Sequence, residues 1–137
     1  GDIFSARVAG NIINDDIIGS MEFACKIAGS KLIVVLGHSN CGAIKGACND
    51  VKLGHLTNLL NKVNPSIIEI KEKFPELDIK SQEAIDKVAY NNVHLMKIEI
   101  LNRSVVLNEM FKNKEIGIVG AYYKVETGEV NFIDATI

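Results

Sequence analysis

The sequence has no tryptophan, two prolines and three cysteines among its 137 residues. An odd number of cysteines in an otherwise ordinary composition argues against a disulfide framework and favours free thiols in a reducing compartment. The longest purely apolar run, Leu32 to Leu36, is far shorter than the roughly 20 residues of a membrane-spanning helix. No basic and apolar leader opens the chain. We therefore expect a soluble, cytoplasmic protein without a membrane partner.

The chain also lacks a concentration of charge of either sign. Its formal net charge is -2, and its lysines are scattered along the sequence instead of forming a basic patch. A nucleic-acid partner is therefore not expected. With 47% hydrophobic residues, the chain can bury one good core and is too short for two ordinary domains. We expect a single domain over residues 1–137.

The order of apolar segments predicts an α/β fold with a mainly parallel central sheet flanked by helices. Ile3 to Val8 has the pattern of a strand, and residues 15–28 have helical spacing that starts with two aspartates. The apolar run from Lys31 to Gly37 predicts a central strand that helices cover on both faces. Residues 53–111 are predicted to be helical, with Ser81 as the cap of a long helix, and residues 116–133 to form a hairpin or edge strand.

The residues that follow the central strand carry the most informative chemistry. His38-Ser39-Asn40-Cys41-Gly42 lies where open α/β sheets place reactive groups, just beyond the carboxyl end of a strand. Imidazole and thiolate are both zinc ligands, and a tight turn can aim His38 and Cys41 at one ion. The glycines on either side allow the backbone to turn sharply. The loop therefore predicts two metal ligands.

A catalytic zinc needs a third protein ligand, and the other cysteines and histidines are poorly placed to supply it. Cys48 lies about 10 Å further along a helix from Cys41, and Cys25 is expected near the opposite end of the central strand. Both are expected to be core thiols. His55 and His94 fall in helical segments, where a surface or packing role is the default. The third ligand is expected to come from residues before Gly1, because the chain begins in an apolar stretch without methionine.

The same residues resemble the β-carbonic anhydrases. Residues 31–43, KLIVVLGHSNCGA, are similar to the second metal-binding segment of that family almost residue for residue. The resemblance extends to Gly1-Asp2-Ile3-Phe4, to residues 7–11 (RVAGN, with Val8 where the family usually has asparagine), to residues 53–57 and to residues 120–132 with Thr127-Gly128. It covers nearly the whole chain.

The resemblance implies an enzyme that interconverts carbon dioxide and bicarbonate with Zn²⁺. It makes His38 and Cys41 metal ligands and places the backbone of Gly42 in the substrate pocket. It implies a third ligand from a Cys-x-Asp-x-Arg segment upstream of Gly1, and it assigns no catalytic acid or base within the chain. In this family, zinc makes its bound water acidic enough to attack carbon dioxide. It also implies a homodimer or homotetramer.

Two other functions remain open. The first is a catalytically silent relative, in which the same fold serves as a binding or scaffold module because the metal site is incomplete. The second is a thiol redox protein that uses Cys41, although the sequence has no C-x-x-C pair to resolve a disulfide. The presence of the upstream Cys-x-Asp-x-Arg segment would separate the enzyme from the silent relative.

Overall fold

The sheet forms the centre of the fold. The computed structural model describes residues 1–136, with side chains described to residue 133. The sheet has the order β1 (Leu32–His38), β2 (Gly117–Tyr123), β3 (Val130–Thr136). β1 and β2 are parallel, with Val35 opposite Gly120, and β2 and β3 are antiparallel. The predicted α/β class with a parallel core and the predicted hairpin at the end of the chain are both confirmed.

Helices occupy the segments where helical spacing predicted them. They are α1 (Asp15–Glu22), α2 (Gly42–Cys48), α3 (Gly54–Asn61), α4 (Asn64–Lys73), α5 (Gln82–Arg103) and α6 (Val105–Lys112). A 3₁₀ turn over Ala9–Asn11 precedes α1, and a π-helical turn over Phe23–Ile27 extends it. In the described chain, no helix combines the length and apolar content needed to cross a bilayer.

Side-chain caps explain where two of these helices begin. The side chain of Asn14 accepts a hydrogen bond from the backbone N–H of Ile17 at 2.8 Å, so Asn14 caps α1. Asp15 and Asp16, where the sequence predicted the helix to start, lie in the first turn of α1. Carboxylates at this position interact favourably with the helix dipole. Ser81 caps α5 as predicted, accepting from the N–H of Ala84 at 3.2 Å.

The long helix α5 packs across β1 and β2 and forms the centre of the core. Val93 is fully buried and lies against two strand glycines. A Cβ atom at Gly37 would lie 2.6 Å from Val93 Cγ2, and one at Gly120 would lie 2.9 Å from Val93 Cγ1. Both distances are too short for real carbon atoms, so the two glycines allow the close approach of helix and sheet.

The structure contradicts the expectation that β1 is a central strand covered by helices on both faces. In the described sheet β1 lies at an edge, and β2 is the central strand. Ile33 and Val35 face α5 and are 8% and 7% exposed. Leu32, Val34 and Leu36 point to the opposite face and are 55%, 46% and 48% exposed. The prediction was wrong because a continuous apolar run indicates only that both faces of the strand are apolar. It does not indicate that helices of the same chain pack against both faces.

The predicted strand over Ile3 to Val8 is also wrong. This segment has no regular secondary structure, and Ile3 and Phe4 are 86% and 48% exposed. The ring of Phe4 contacts that of Phe23 at a centroid distance of 6.1 Å. A strand needs a neighbour for its backbone hydrogen bonds, and the described strands β1 to β3 pair only with one another.

Candidate metal centre

The predicted metal-binding loop connects β1 to α2. His38 is the last residue of β1, and α2 begins at Gly42. Cys41 precedes the helix, and its carbonyl oxygen accepts a hydrogen bond from Lys45 N at 3.0 Å. Cys41 is buried, whereas His38 and Gly42 are exposed. The loop therefore lies at the carboxyl end of β1, as the sequence predicted.

The imidazole of His38 is held by its neighbour in the chain. His38 Nδ1 lies 2.8 Å from the carbonyl oxygen of Ser39. Because a carbonyl oxygen can only accept, this hydrogen bond requires the proton on Nδ1. The lone pair of the neutral ring is then on Nε2, which is the arrangement that metal-binding histidines commonly show.

Ser39 is itself anchored to the turn that follows β2. Its backbone N–H donates to the carbonyl of Tyr123 at 2.9 Å, and its hydroxyl accepts from Val125 N at 2.9 Å. The same hydroxyl donates to Glu126 Oε2 at 2.9 Å, and Asn40 Nδ2 donates to Glu126 Oε1. Asn40 has a positive φ of 54°, a conformation that asparagine tolerates better than most residues.

Two titratable groups next to the loop have shifted pKa values. A hydrogen bond from its own backbone, followed by the one from Ser39, lowers the pKa of Glu126, so this side chain is a carboxylate at neutral pH. Burial, followed by the negative charges of Asp86 and Glu126, raises the pKa of Tyr122 to about 12. Tyr122 is therefore a neutral phenol at neutral pH.

The remaining cysteines and histidines lie where the sequence placed them. Cys25 and Cys48 are buried free thiols, and burial raises the pKa of both, that of Cys48 to about 11. His55 and His94 are exposed on α3 and α5. Within the described residues, no three side chains of the His, Cys, Asp and Glu types come together in a group that could hold a metal ion.

The two predicted ligands have the chemistry that zinc requires. An imidazole with a free Nε2 and a cysteine three residues away are both donors of the kind that bind Zn²⁺. The hydrogen bond to the Ser39 carbonyl supplies the outer contact that orients a metal-binding histidine. The assignment of His38 and Cys41 as ligands, and of Gly42 to the substrate pocket, stays a prediction.

A cleft of about 840 Å³ borders the loop, and Ser39 and Asn40 contribute to its lining. Its lining includes Asn40, Asp86, Tyr90, Tyr122 and Glu126, and neither His38 nor Cys41 contributes to it. The Tyr90 and Tyr122 rings pack together with a centroid distance of 6.0 Å. The cleft therefore borders the residues between the two predicted ligands and the turn that carries Glu126.

Sequence reasoning missed Ser39, Asn40 and Glu126 as parts of the site. The first two lie between the predicted ligands, yet their types are common in any turn. Glu126 is 87 residues from Ser39 along the chain, in a segment that the sequence identified only as a turn before the last strand. The parallel pairing of β1 with β2 brings the ends of both strands together, and that pairing is not visible in local patterns.

Comparison with known proteins identifies a family. The carbonic anhydrase family profile matches residues 1–130. A similar curated protein, carbonic anhydrase 2 of Mycobacterium tuberculosis (strain CDC 1551 / Oshkosh), is 30% identical over 133 residues. The match covers 93% of this chain and 61% of that protein. The chain thus spans less than two thirds of the length of this relative.

Solved structures give the same result. The β-carbonic anhydrase CcaA is similar with a TM-score of 0.85 and 25% identity, over 96% of this chain and 67% of that one. A tetrameric β-carbonic anhydrase from the ascomycete Sordaria macrospora has a TM-score of 0.84 at 21% identity, over 96% of this chain and 68% of that one. At this identity the second likeness shows the shared fold.

Proposed function

Because this chain belongs to the β-carbonic anhydrase family, we propose that the protein catalyses the zinc-dependent, reversible hydration of carbon dioxide to bicarbonate and a proton. The observation that carries the proposal is the loop after β1, where an imidazole with its Nδ1 hydrogen-bonded and a cysteine lie three residues apart. The buried free thiols support a cytoplasmic location.

We assign His38 Nε2 and the Cys41 sulfur as two of the zinc ligands. The Ser39 carbonyl holds the His38 ring, and the start of α2 fixes the position of Cys41. The backbone of Gly42 carries no side chain and leaves room beside the metal for a small substrate; a Cβ there would meet no atom within 4 Å. A bound zinc ion would supply Lewis acidity, lowering the pKa of a bound water toward neutrality.

A further ligand is required beyond these two. Catalytic zinc sites use three protein ligands, and the described residues contain no group of three suitable side chains. We propose that the remaining ligand comes from outside these 137 residues, from a cysteine in a Cys-x-Asp-x-Arg segment. A protein without such a donor would hold zinc weakly and would be the catalytically silent relative.

Metal analysis combined with a carbon dioxide hydration assay tests this proposal. We expect one zinc per chain in the intact wild-type protein, and loss of both zinc and activity in Cys41→Ser. The loss should exceed the roughly 100-fold effect of removing an outer-sphere partner. Cys48→Ala is the matched control, because Cys48 is also a buried free thiol but lies outside the loop. Activity that survives Cys41→Ser would refute zinc chemistry at this loop, and a wild type that binds zinc weakly and shows no activity would favour the silent relative.

We also propose that the protein forms at least a homodimer. The exposed side chains of Leu32, Val34 and Leu36 form an apolar face on β1, and β1 lies at an edge of the described sheet. Exposed apolar strands at sheet edges are prone to pair with another chain, so a second subunit that covers this face would relieve the exposure. Light scattering at micromolar concentration tests the proposal, and a clean monomer would contradict it.

A further inference from the structure

We propose that Glu126 is a positioning residue for the metal centre. It holds Ser39 and Asn40 in place so that His38 presents Nε2 to the ion. The inference rests on the proposed zinc site. Glu126 lies in the turn between β2 and β3 and belongs to none of the predicted ligand segments. Its effect on the metal would be transmitted through the loop residues that it contacts.

The first step of the argument is the dependence of His38 on the Ser39 carbonyl. His38 is exposed, so burial does not fix the orientation of its ring. The hydrogen bond from Nδ1 to the Ser39 oxygen, at 2.8 Å, is the contact that selects the tautomer with a free Nε2. A displacement of the Ser39 carbonyl would therefore change the direction of the ring and the tautomer that this contact favours.

The second step is the way Glu126 holds that peptide. The two carboxylate oxygens accept from different residues: Oε2 from the Ser39 hydroxyl at 2.9 Å, and Oε1 from the Asn40 amide. Hydrogen bonds to a charged acceptor are stronger than neutral ones. One side chain thus fixes two consecutive loop residues, of which Asn40 has the left-handed backbone that turns the chain toward Cys41.

The third step is the rigidity of the support. The turn that carries Glu126 is closed by hydrogen bonds from Lys124 N to Glu129 O and from Gly128 N to Lys124 O, both 2.8 Å long. Gly128 has a φ of 75°, which glycine adopts without strain. The carboxylate is therefore presented from a closed turn between two paired strands, and a closed turn can hold the loop in place.

Three substitutions separate positioning from other roles. Glu126→Ala removes both contacts to the loop. Glu126→Gln keeps the shape, because the amide oxygen can accept from Ser39 and the amide nitrogen can donate to Asn40 once that side chain turns over. Glu129→Gln is the matched control: Glu129 lies in the same turn and pairs with Lys124 at 2.9 Å, but does not contact the loop.

The first readout needs no metal. Nitrogen chemical shifts of the histidine side chains, recorded in the metal-free protein at a pH where the rings are neutral, report which nitrogen carries the proton. We expect the Nδ1–H tautomer for His38 in the wild type, in Glu126→Gln and in Glu129→Gln. In Glu126→Ala, His38 should shift toward the tautomer shown by the exposed rings of His55 and His94, which serve as internal references.

The second readout is zinc affinity, measured by competition with a chromogenic chelator. Loss of an outer contact to a metal-binding histidine typically weakens binding 10- to 100-fold, so we expect about that loss in Glu126→Ala. Glu126→Gln should stay within about fivefold of the wild type, because a neutral acceptor replaces a charged one. Glu129→Gln should bind as the wild type does.

The outcomes distinguish this inference from the proposed function. If the wild type binds no zinc, the proposed function fails, and the tautomer of His38 still decides the role of Glu126. If Glu126→Ala leaves both the tautomer and the zinc affinity at wild-type values, the inference is overturned. Should Glu126→Ala not fold, Ser39→Ala removes the hydroxyl contact from the other side, and an unchanged His38 tautomer in that variant would overturn the inference equally.

Discussion

The close contact between Gly37 and Val93 makes a strong prediction about stability. Gly37→Ala would place a methyl carbon 2.6 Å from Val93 Cγ2, about 1 Å closer than carbon atoms normally approach. Val93 cannot yield easily, because it is fully buried and a β-branched side chain in a helix has one preferred rotamer. We expect Gly37→Ala to lower the free energy of unfolding by about 1–3 kcal/mol, the usual cost of overpacking a core.

A double-mutant cycle tests the cause of this loss. Val93→Ala removes both terminal methyl groups and should cost about 1.6 kcal/mol in lost burial, at roughly 0.8 kcal/mol for each. In that background the new methyl at position 37 has room, so adding Gly37→Ala should cost less than about 0.5 kcal/mol further. The two substitutions should therefore be coupled by about 0.5–3 kcal/mol, as expected for residues in direct contact.

Urea denaturation monitored by circular dichroism is a suitable assay, because an unchanged m-value shows that the midpoint reports stability. Gly19→Ala is the control with the opposite sign. Gly19 is exposed in α1, and an added Cβ would meet no atom within 4 Å, so alanine should stabilise the protein by about 0.5–1 kcal/mol. The reasoning would be refuted if Gly37→Ala were as stable as the wild type. It would also be refuted if Gly37→Ala lowered the free energy of unfolding equally with and without Val93→Ala.

Two further predictions concern buried groups away from the loop. The hydroxyl of Ser66 is fully buried and donates to the Val88 carbonyl at 2.8 Å. Ser66→Ala should therefore lower the free energy of unfolding by about 1–2 kcal/mol. In the same denaturation experiment, Ser20→Ala, which removes an exposed hydroxyl, should change the free energy of unfolding by less than about 0.5 kcal/mol. Burial raises the pKa of Cys48 from 9.0 to about 11, so the unfolded chain loses this proton first, and stability that is present below pH 9 falls between pH 9 and 11. The difference in stability between wild type and Cys48→Ala should follow that fall, and a pH-independent difference would contradict it.

Local sequence patterns predicted the elements that carry their own signals. The run from Lys31 to Gly37 predicted β1, and the residues after it predicted a loop at the carboxyl end of that strand. Helix starts followed from capping chemistry, as at Ser81, whose side chain accepts from the third residue of the helix. These features depend on neighbours within a few positions, so a single sequence is enough to find them.

Features that depend on distant partners could not be predicted in the same way. The segment Ile3 to Val8 has a strand pattern, but a strand also needs a paired neighbour, and in the described chain it has none. The prediction that helices cover both faces of β1 failed for a related reason, because an apolar strand does not reveal which part of a protein packs against it. Glu126 contacts Ser39 only because β1 and β2 are parallel and end at the same edge of the sheet.

The contacts around the loop explain why its geometry would exist before any metal binds. On one side, the close packing of Gly37 against α5 fixes the end of β1. On the other side, the turn after β2 holds Ser39 through its backbone N–H and its hydroxyl. The core that packs against β1 is built from α5 and the sheet and does not depend on a metal. The loop therefore differs from a zinc finger, in which the metal supplies the folding energy, since here the fold positions His38 and Cys41 without a metal.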